Sequence, residues 1–187
     1  MFTLRPIHTS DTELYSFMEQ LLTGAFPTEE YRDLSDLRRN TDTLPQFING
    51  VLTDGPTPVG ICSYWPFERF TYVEHLATLP EVRGRGYGKQ ALDLLKQLRP
   101  LPIVLEAELP LTALASRRLH YYIRNGFTLW GDDYRQPPYR AGHDYLPMCL
   151  LVYAPWQPHD LTRAQAVRTI YNEVYGVDGI EGIVSRS

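Results

Sequence analysis

Cysteine is nearly absent from this sequence, which has only Cys62 and Cys149 among its 187 residues. Each lies within an apolar run, and neither has the CxxC spacing of a metal-binding knuckle. Two cysteines also exclude the disulfide framework that small secreted domains use. We therefore predict that both are small core residues and that the protein holds no metal.

An excess of positive charge is also lacking. The formal net charge is -4, the pI is about 5.7, and Lys89 and Lys96 are the only lysines. Nucleic acids and anionic membranes attract proteins through concentrated basic surfaces. The sequence therefore predicts a small-molecule partner, with no nucleic acid and no membrane.

Long apolar runs are missing as well. No stretch approaches the roughly 20 apolar residues that a membrane-spanning helix needs. The opening residues 1–5 lack the basic-then-apolar order of a signal peptide. We accordingly expect a cytoplasmic location.

The composition that remains, 43% hydrophobic and 21% charged, is typical of folded globular proteins. A chain of 21.6 kDa can build one full hydrophobic core and is short for two. No internal repeat or linker divides it. We therefore expect a single domain over residues 1–187.

Alternation of apolar and polar residues, together with turn chemistry, predicts seven strands. Their expected bounds are Phe2–Ile7, Phe47–Thr53, Val59–Trp65, Phe70–Thr78, Ile103–Leu105, Phe127–Trp130 and Met148–Tyr153. Residues 54–56, Asp-Gly-Pro, predict a hairpin between the second and third strands.

Helical periodicity predicts five helices between these strands. A Ser10/Glu13 capping box begins the first, and a charged second helix over Glu29–Arg39 should lie in solvent. The others are a helix ending at Leu98, one from Thr112 to Asn125 that Gly126 ends, and a C-terminal helix over about 160–175 capped by Asp160. Hairpins mixed with strand–helix crossovers indicate an α/β fold, with a mixed, mostly antiparallel sheet and helices on its faces.

The segment Arg83-Gly-Arg-Gly-Tyr-Gly-Lys89 lies between a strand and an amphipathic helix. Glycines let a backbone approach a ligand, and the free N–H groups at a helix start attract phosphate. The Rossmann and Walker patterns are not present in this segment. It is therefore either a phosphate cradle or a glycine-rich turn with two exposed arginines.

This Arg-x-x-Gly-x-Gly pattern, with its Leu-Ala-Thr-Leu-Pro-Glu lead-in over 76–81, resembles the acetyl-CoA motif of the GCN5-related N-acetyltransferase (GNAT) superfamily. Tyr121-Tyr-Ile-Arg-Asn-Gly-Phe127 resembles the later signature of the same superfamily. The resemblance covers about 59–130, which we expect to be the cofactor-binding core. One departure is Ala115, where the family often has an asparagine that contacts the cofactor; Ser116 is a partial substitute.

The resemblance implies transfer of an acetyl group from acetyl-CoA to an amine by direct attack in a ternary complex. It places the backbone N–H of Leu76 or Ala77 at the thioester carbonyl, the pantetheine along Leu76–Thr78, and the pyrophosphate at the amides of Gly84–Lys89. The implied cofactor-binding residues are Leu76, Ala77, Thr78, Arg83, Gly84, Arg85, Gly86, Tyr87, Gly88 and Lys89. It also makes Tyr122 the acid that protonates the departing thiolate.

Glu74 is the candidate base. It is two residues before Leu76 on one face of a predicted strand, with Phe70 and Tyr72, and such neighbours should desolvate the carboxylate and raise its pKa. The alternative is an ion pair with an arginine of a neighbouring element. His75, on the opposite face, ranks second.

The acceptor is predicted to be a primary amine of a small molecule. Acidic residues of the second helix and aromatic residues of a late loop would suit a cation, although a solvated helix face and a packed loop explain them equally well. These residues are Glu29, Glu30, Asp33, Asp36, Trp130, Tyr134 and Tyr139. Two alternative functions stay open: a catalytically silent acyl-CoA sensor, and a protein or peptide N-acetyltransferase. A homodimer is also possible from the sequence. The negative net charge argues against a nucleic-acid module.

Overall fold

A computed structural model describes residues 1–155 and 160–178 of the chain. These residues group into two compact units. The first consists of Met1–Phe67 and Val73–Pro100, and the second of Glu68–Tyr72 with the described part of Leu101–Ser187. The prediction of a single domain stays a prediction. No helix within 1–155 or 160–178 is long and apolar enough to cross a membrane.

The first unit contains strands in the order β1-β2-β3-β4. They are β1 (Phe2–Pro6), β2 (Ile48–Asp54), β3 (Thr57–Pro66) and β4 (Thr71–Thr78). Of β4, only the residues from 73 onward belong to this unit. Both β1 and β3 pair antiparallel with β2. The predicted hairpin between β2 and β3 is confirmed, and its Gly55 has a φ of 58°, a left-handed value that favours glycine.

Three helices belong to the first unit: α1 (Thr12–Ala25), α2 (Leu34–Thr43) and α3 (Tyr87–Leu98). Helix α1 packs on β2 and β3, and α3 packs on β1 and β3. Buried side chains from strands and helices together form the core of this unit, among them Met18, Leu22, Val51, Leu52, Trp65 and Leu92.

Two of the expected helix starts in this unit are wrong. Helix α1 begins after Asp11, which makes no side-chain cap, so the Ser10/Glu13 capping box does not form. The charged second helix does not begin near Glu29. A single 3-10 turn, Thr28–Glu30, comes first, and α2 begins only at Leu34. Arg32 between them is buried rather than solvated.

The second unit has three strands in the order β5-β7-β6, with both pairings antiparallel. They are β5 (Ile103–Glu108), β6 (Thr128–Gln136) and β7 (Leu146–Tyr153). Strand β6 continues through Tyr134, which was predicted to lie in a loop. Together with the first unit, the described residues form an α/β fold with seven mostly antiparallel strands, as predicted.

Helix α4 (Ala113–Arg124) begins and ends as its sequence predicts. The Thr112 side chain accepts from the Ala115 N–H at 3.1 Å, and Gly126 has a φ of 87°. The last helix, α5 (Arg163–Thr169), is capped by Thr162 in a capping box with Gln165 rather than by Asp160. It continues directly as a π-helix, Ile170–Tyr175.

Candidate active site

The glycine-rich segment folds as a turn that leads directly into α3. Gly84 and Gly86 have φ values of 82° and 85°, which disfavour other residues. A Cβ built at either glycine would meet no atom within 4 Å. The two glycines are therefore required by the backbone conformation, and open space lies beside them.

The first amides of α3 are available to a ligand. The Gln90 N–H donates to Gly86 O at 3.0 Å, which closes the first turn of the helix. The N–H groups of residues 87–89 precede that bond and have no intrahelical acceptor. Gly86, at the cap position, has no side chain to accept from them, and the first turn contains no acidic residue. The positive end of the helix dipole is thus uncompensated by its own helix.

The charged side chains beside these amides differ in their surroundings. Arg83 and Arg85 are exposed. The Lys89 ammonium, in contrast, forms a 2.5 Å ion pair with Asp93 one turn further along α3. The Lys89 ammonium is thus engaged within α3, and the role of Lys89 in cofactor binding stays a prediction.

Tyr87 anchors the start of α3 to the strands. Its ring stacks on Phe2, with centroids 5.7 Å apart and an interplanar angle of 19°. Its hydroxyl donates to the Asp54 carboxylate at 2.8 Å. These contacts hold the turn in place without using its backbone amides.

The end of β4, which the resemblance assigns to the pantetheine, is half-buried at Leu76, Ala77 and Thr78. The Leu79 N–H donates to Val59 O at 3.0 Å. A Cβ at Gly60 would lie 2.5 Å from Ala77 O, so glycine is required where β3 approaches β4. The contact of this segment with a cofactor stays a prediction.

Glu74 is enclosed by partners. Its Oε1 accepts from Arg32 Nη2 at 2.6 Å, its Oε2 accepts from Trp65 Nε1 at 2.6 Å, and its side chain is 0% exposed. Burial raises the pKa of this carboxyl, but the Arg32 charge and the two hydrogen bonds outweigh it and hold the pKa below the ordinary value. The expected rise in pKa is therefore wrong, and the alternative, an ion pair with an arginine, is present.

The arginine of this pair is held on several sides. Its guanidinium lies 5.7 Å from the ring centroids of Phe47 and Trp65. In the amide orientation that satisfies both of its neighbours, Asn40 accepts from Arg32 Nη1 at 2.7 Å. Arg32 was not predicted as a partner of Glu74 because it lies within a charged run that resembles a solvated helix.

His75 is buried with both ring nitrogens in hydrogen bonds. Nε2 lies 2.9 Å from Glu30 O, a carbonyl that can only accept, so Nε2 carries the hydrogen. Nδ1 then accepts from the Ser63 hydroxyl at 3.3 Å. Burial holds the pKa of His75 below its ordinary value. His75 thus lies in the core, and its rank as the second candidate base stays a prediction.

Tyr122 belongs to the second unit, on α4. Its ring is half-buried and makes edge contacts with the rings of Tyr121 and Phe127, at centroid distances of 5.3 and 5.7 Å. Ala115, at the family's asparagine position, is 4% exposed. The Ser116 hydroxyl donates to Pro110 O at 3.2 Å, so it is already engaged.

The second unit also contains a buried-face carboxylate, Glu106, that was not predicted from the sequence. Glu106 on β5 accepts hydrogen bonds from the hydroxyls of Tyr134 and Tyr175, the latter at 3.0 Å. The Tyr72 and Tyr139 hydroxyls lie 3.2 and 3.5 Å from the Tyr175 hydroxyl. Four residues far apart in sequence thus surround one acidic group.

The residues predicted to line an acceptor pocket have different surroundings. Glu29 and Asp33 are exposed, and Asp36 forms an ion pair with Arg39 at 2.9 Å. Of the three late aromatic residues, Tyr134 and Tyr139 belong to the Glu106 surroundings. Among residues 1–155 and 160–178, no cluster of histidine, cysteine and carboxylate side chains is suited to a metal.

Comparison with known proteins identifies the family. The sequence model of the acetyltransferase (GNAT) family matches residues 12–127, more than half of the chain. The chain therefore belongs to the GNAT acetyltransferase family, a family of acetyl-CoA-dependent N-acetyltransferases. No curated protein gives a significant sequence match.

Solved structures agree with this assignment. A Bacteroides thetaiotaomicron protein assigned to the GNAT family as an acetyltransferase is 45% identical, with a TM-score of 0.86 over 94% of this chain and 99% of its own. The ribosomal-protein-S18-alanine N-acetyltransferase of Escherichia coli is 15% identical, with a TM-score of 0.57 over 87% and 99%. An aminoglycoside 6'-N-acetyltransferase complexed with coenzyme A is 17% identical, with a TM-score of 0.59 over 84% and 99%. The last two likenesses concern the fold alone.

Proposed function

We propose that the protein transfers the acetyl group of acetyl-CoA to a primary amine of a small molecule, by direct attack in a ternary complex. The observation that carries the proposal is the turn at Gly84 and Gly86, whose open side meets the unpaired amides of α3. Such a helix start binds phosphate through oriented N–H groups and the helix dipole. Because the chain belongs to the acetyltransferase family, we infer that this phosphate is the pyrophosphate of acetyl-CoA.

The proposed division of roles follows the chain. Residues 84–89 hold the pyrophosphate through backbone N–H groups, apart from that of Arg85, which donates to Val82 O at 3.3 Å. The exposed Arg83 and Arg85 side chains assist them, and residues 76–78 hold the pantetheine. Coenzyme A supplies the activated thioester. Tyr122 donates a proton to the departing thiolate, and the N–H of Leu76 or Ala77 polarises the carbonyl.

We assign Glu74 a structural role rather than that of the base. A general base must reach the amine proton and be free to accept it. Both Glu74 oxygens already accept from Arg32 and Trp65, the side chain is fully buried, and its pKa is lowered. These features favour a stable ionised pair.

The buried Arg32–Glu74 ion pair also favours a second candidate function, an acyl-CoA sensor that does not catalyse transfer. A third candidate is a transferase whose acceptors are peptides. The assay is CoA release from acetyl-CoA in the presence of small primary amines, polyamines and peptides with free N-termini. We expect turnover with at least one small amine. Tight acetyl-CoA binding without turnover with any acceptor favours the sensor, and turnover with peptides alone favours a peptide acceptor.

A cytoplasmic location and a homodimer stay predictions.

The cradle itself is tested by binding. Acetyl-CoA should raise the melting temperature of the wild type, because only the folded turn presents its amides. Gly86→Asp should abolish that rise, since it places bulk and negative charge at the phosphate site, whereas Arg85→Ala should only weaken it.

Gly142→Asp is the matched control for Gly86→Asp. Gly142 has a φ of 84°, close to that of Gly86, and its added Cβ also meets open space. The backbone cost of the two substitutions should therefore be similar. Loss of the acetyl-CoA shift in both variants, or in neither, would place the cofactor elsewhere.

A further inference from the structure

Gly60, a buried residue of β3, is a glycine for a different reason from Gly84 and Gly86. Those two have positive φ values, and an added Cβ at either would meet open space. Gly60 has no positive φ, but a Cβ there would lie 2.5 Å from Ala77 O and 3.2 Å from Thr78 Cα, both on β4. The backbone of β4 thus occupies the space that a side chain at residue 60 would need.

The carbonyl that approaches Gly60 defines the direction of the peptide group between Ala77 and Thr78. Because Ala77 O lies against Gly60, this carbonyl points toward β3. A planar trans peptide directs its C=O and its N–H to opposite sides. The Thr78 N–H therefore faces away from β3.

The following peptide group defines the direction of the Thr78 carbonyl. The Leu79 N–H donates to Val59 O at 3.0 Å, so this N–H points toward β3. By the same peptide geometry, the Thr78 C=O faces away from β3. Both backbone hydrogen-bonding groups of Thr78 are thus directed to one side, opposite β3.

An extended ligand that lies along a strand needs such a pair of groups. It bonds to the N–H and C=O of alternate residues, since the groups of the residues between them point the other way. The amide groups of pantetheine supply matching donors and acceptors. Within the segment 76–78, the contacts of Ala77 and Leu79 give Thr78 this direction.

We propose that Gly60 is a positioning residue for the cofactor. The space left by its missing side chain lets the Ala77–Thr78 peptide group lie close to β3, and this placement directs the Thr78 N–H and C=O at the amide groups of pantetheine. Gly60 acts through the backbone of β4 rather than through a contact of its own with the cofactor. The inference rests on the proposed function, because that function places pantetheine along 76–78.

One added methyl group should disturb this placement. Cβ atoms essentially never lie within 3.0 Å of another atom, so Gly60→Ala must move Ala77 O and residue 60 apart by at least about 0.5 Å, the difference from 2.5 Å. A displacement of about 1 Å in a binding site can cost about 10²-fold. We therefore expect Gly60→Ala to lose about tenfold or more in CoA affinity.

The test is calorimetric titration of CoA into the wild type, Gly60→Ala and Gly50→Ala, each under conditions where it is folded. Gly50→Ala is the matched control. Gly50 is buried in β2, and a Cβ there would lie 2.7 Å from Leu4 Cδ1, the movable end of a side chain, and 3.3 Å from Arg5 O and Cys62 O. This variant should lower stability and keep CoA affinity within about threefold.

The double variant Leu52→Val/Gly60→Ala separates two causes of a loss in affinity. The Cβ at residue 60 would also lie 3.1 Å from Leu52 Cδ1, an atom that valine lacks. CoA affinity should stay low in the double variant, because the conflict with Ala77 O remains. Recovery of the wild-type affinity would assign the loss to crowding of the core side chain.

A measurement on the wild type keeps the proposal testable if Gly60→Ala does not fold. Amide hydrogen exchange, followed by NMR, compares Thr78 and Leu79 with and without CoA. CoA should slow exchange at Thr78 by about tenfold more than at Leu79, because the Thr78 N–H faces the ligand and the Leu79 N–H already donates to Val59 O.

Four outcomes overturn the proposal: unchanged CoA affinity in Gly60→Ala, an equal loss in Gly50→Ala, recovery in the double variant, or equal slowing of exchange at Thr78 and Leu79. CoA binding that Gly86→Asp abolishes and Gly60→Ala leaves unchanged contradicts the role of Gly60 and leaves the proposed function standing. A wild type that binds no CoA contradicts the proposed function and, with it, the role of Gly60.

Discussion

Glu74 in the first unit and Glu106 in the second are both strand glutamates that accept side-chain hydrogen bonds, yet their burial differs. Glu74 accepts from a guanidinium and an indole and its side chain is fully buried, whereas Glu106 accepts from the phenols of Tyr134 and Tyr175 and is half-buried. A buried arginine neutralises a carboxylate and lowers its pKa. The arginine partner and the full burial thus identify Glu74 as a structural glutamate rather than a base.

The largest difference should appear in stability. Removing one member of a buried ion pair leaves the other charge unpaired, and such losses are about 3–5 kcal/mol. Glu74→Gln should therefore lower the free energy of unfolding by this amount, measured by urea denaturation.

The double variant Arg32→Met/Glu74→Leu is the control for that measurement, because it removes both charges and keeps apolar volume. It should recover much of the loss. A loss below about 1 kcal/mol in Glu74→Gln would show that the pair contributes no more than a surface ion pair.

The next effect concerns catalysis in the second unit. Tyr122→Phe removes only the hydroxyl, so turnover should fall by about 10²-fold or more while acetyl-CoA affinity is kept. Tyr121→Phe, on the adjacent residue of α4, is the matched control and should keep turnover. Equal turnover in wild type and Tyr122→Phe would remove Tyr122 from the reaction.

The smallest effect is a pH dependence within the first unit. His75 has a pKa below its ordinary value of 6.5, so the unfolded chain binds the proton first as the pH falls. Stability conferred by neutral His75 should decline below about pH 6.5, by at most about 1.4 kcal/mol per pH unit.

His75→Gln should flatten this decline between pH 7 and pH 5. The carboxylate beside it does not share the window, because the lowered pKa of Glu74 places its own titration below 4.5. Urea denaturation at several pH values measures both slopes. A slope that is identical in the two proteins would assign the titration to another group.

Features governed by neighbouring residues were predictable from the sequence. The glycine-rich turn before α3, the start of α4 at Thr112 and its end at Gly126 each depend on a few adjacent positions. The family match agrees with the two short signatures. Local competition explains the misplaced cap of α5, where Thr162 has a glutamine at the third helical position and forms the capping box in place of Asp160.

Features governed by distant residues were not predictable. Arg32 and Glu74 are 42 residues apart, and Tyr175 and Glu106 are 69 apart. Glu106 follows the apolar run that begins β5, and its tyrosine partners come near it only when β6 and the π-helix reach the same face. For this reason the sequence favoured Glu74, whose short-range neighbours resemble those of a base.

The most direct test compares Glu74→Gln and Tyr122→Phe in two assays: the free energy of unfolding, and kcat/KM for an amine relative to the wild type under conditions where each variant is folded. We predict that Glu74→Gln loses several kcal/mol of stability and keeps kcat/KM within about threefold, with no pH trend, whereas Tyr122→Phe keeps its stability and loses about 10²-fold in turnover. The opposite pattern, in which Glu74→Gln loses activity most near neutral pH and Tyr122→Phe keeps its turnover, would contradict the assigned roles and restore Glu74 as the base.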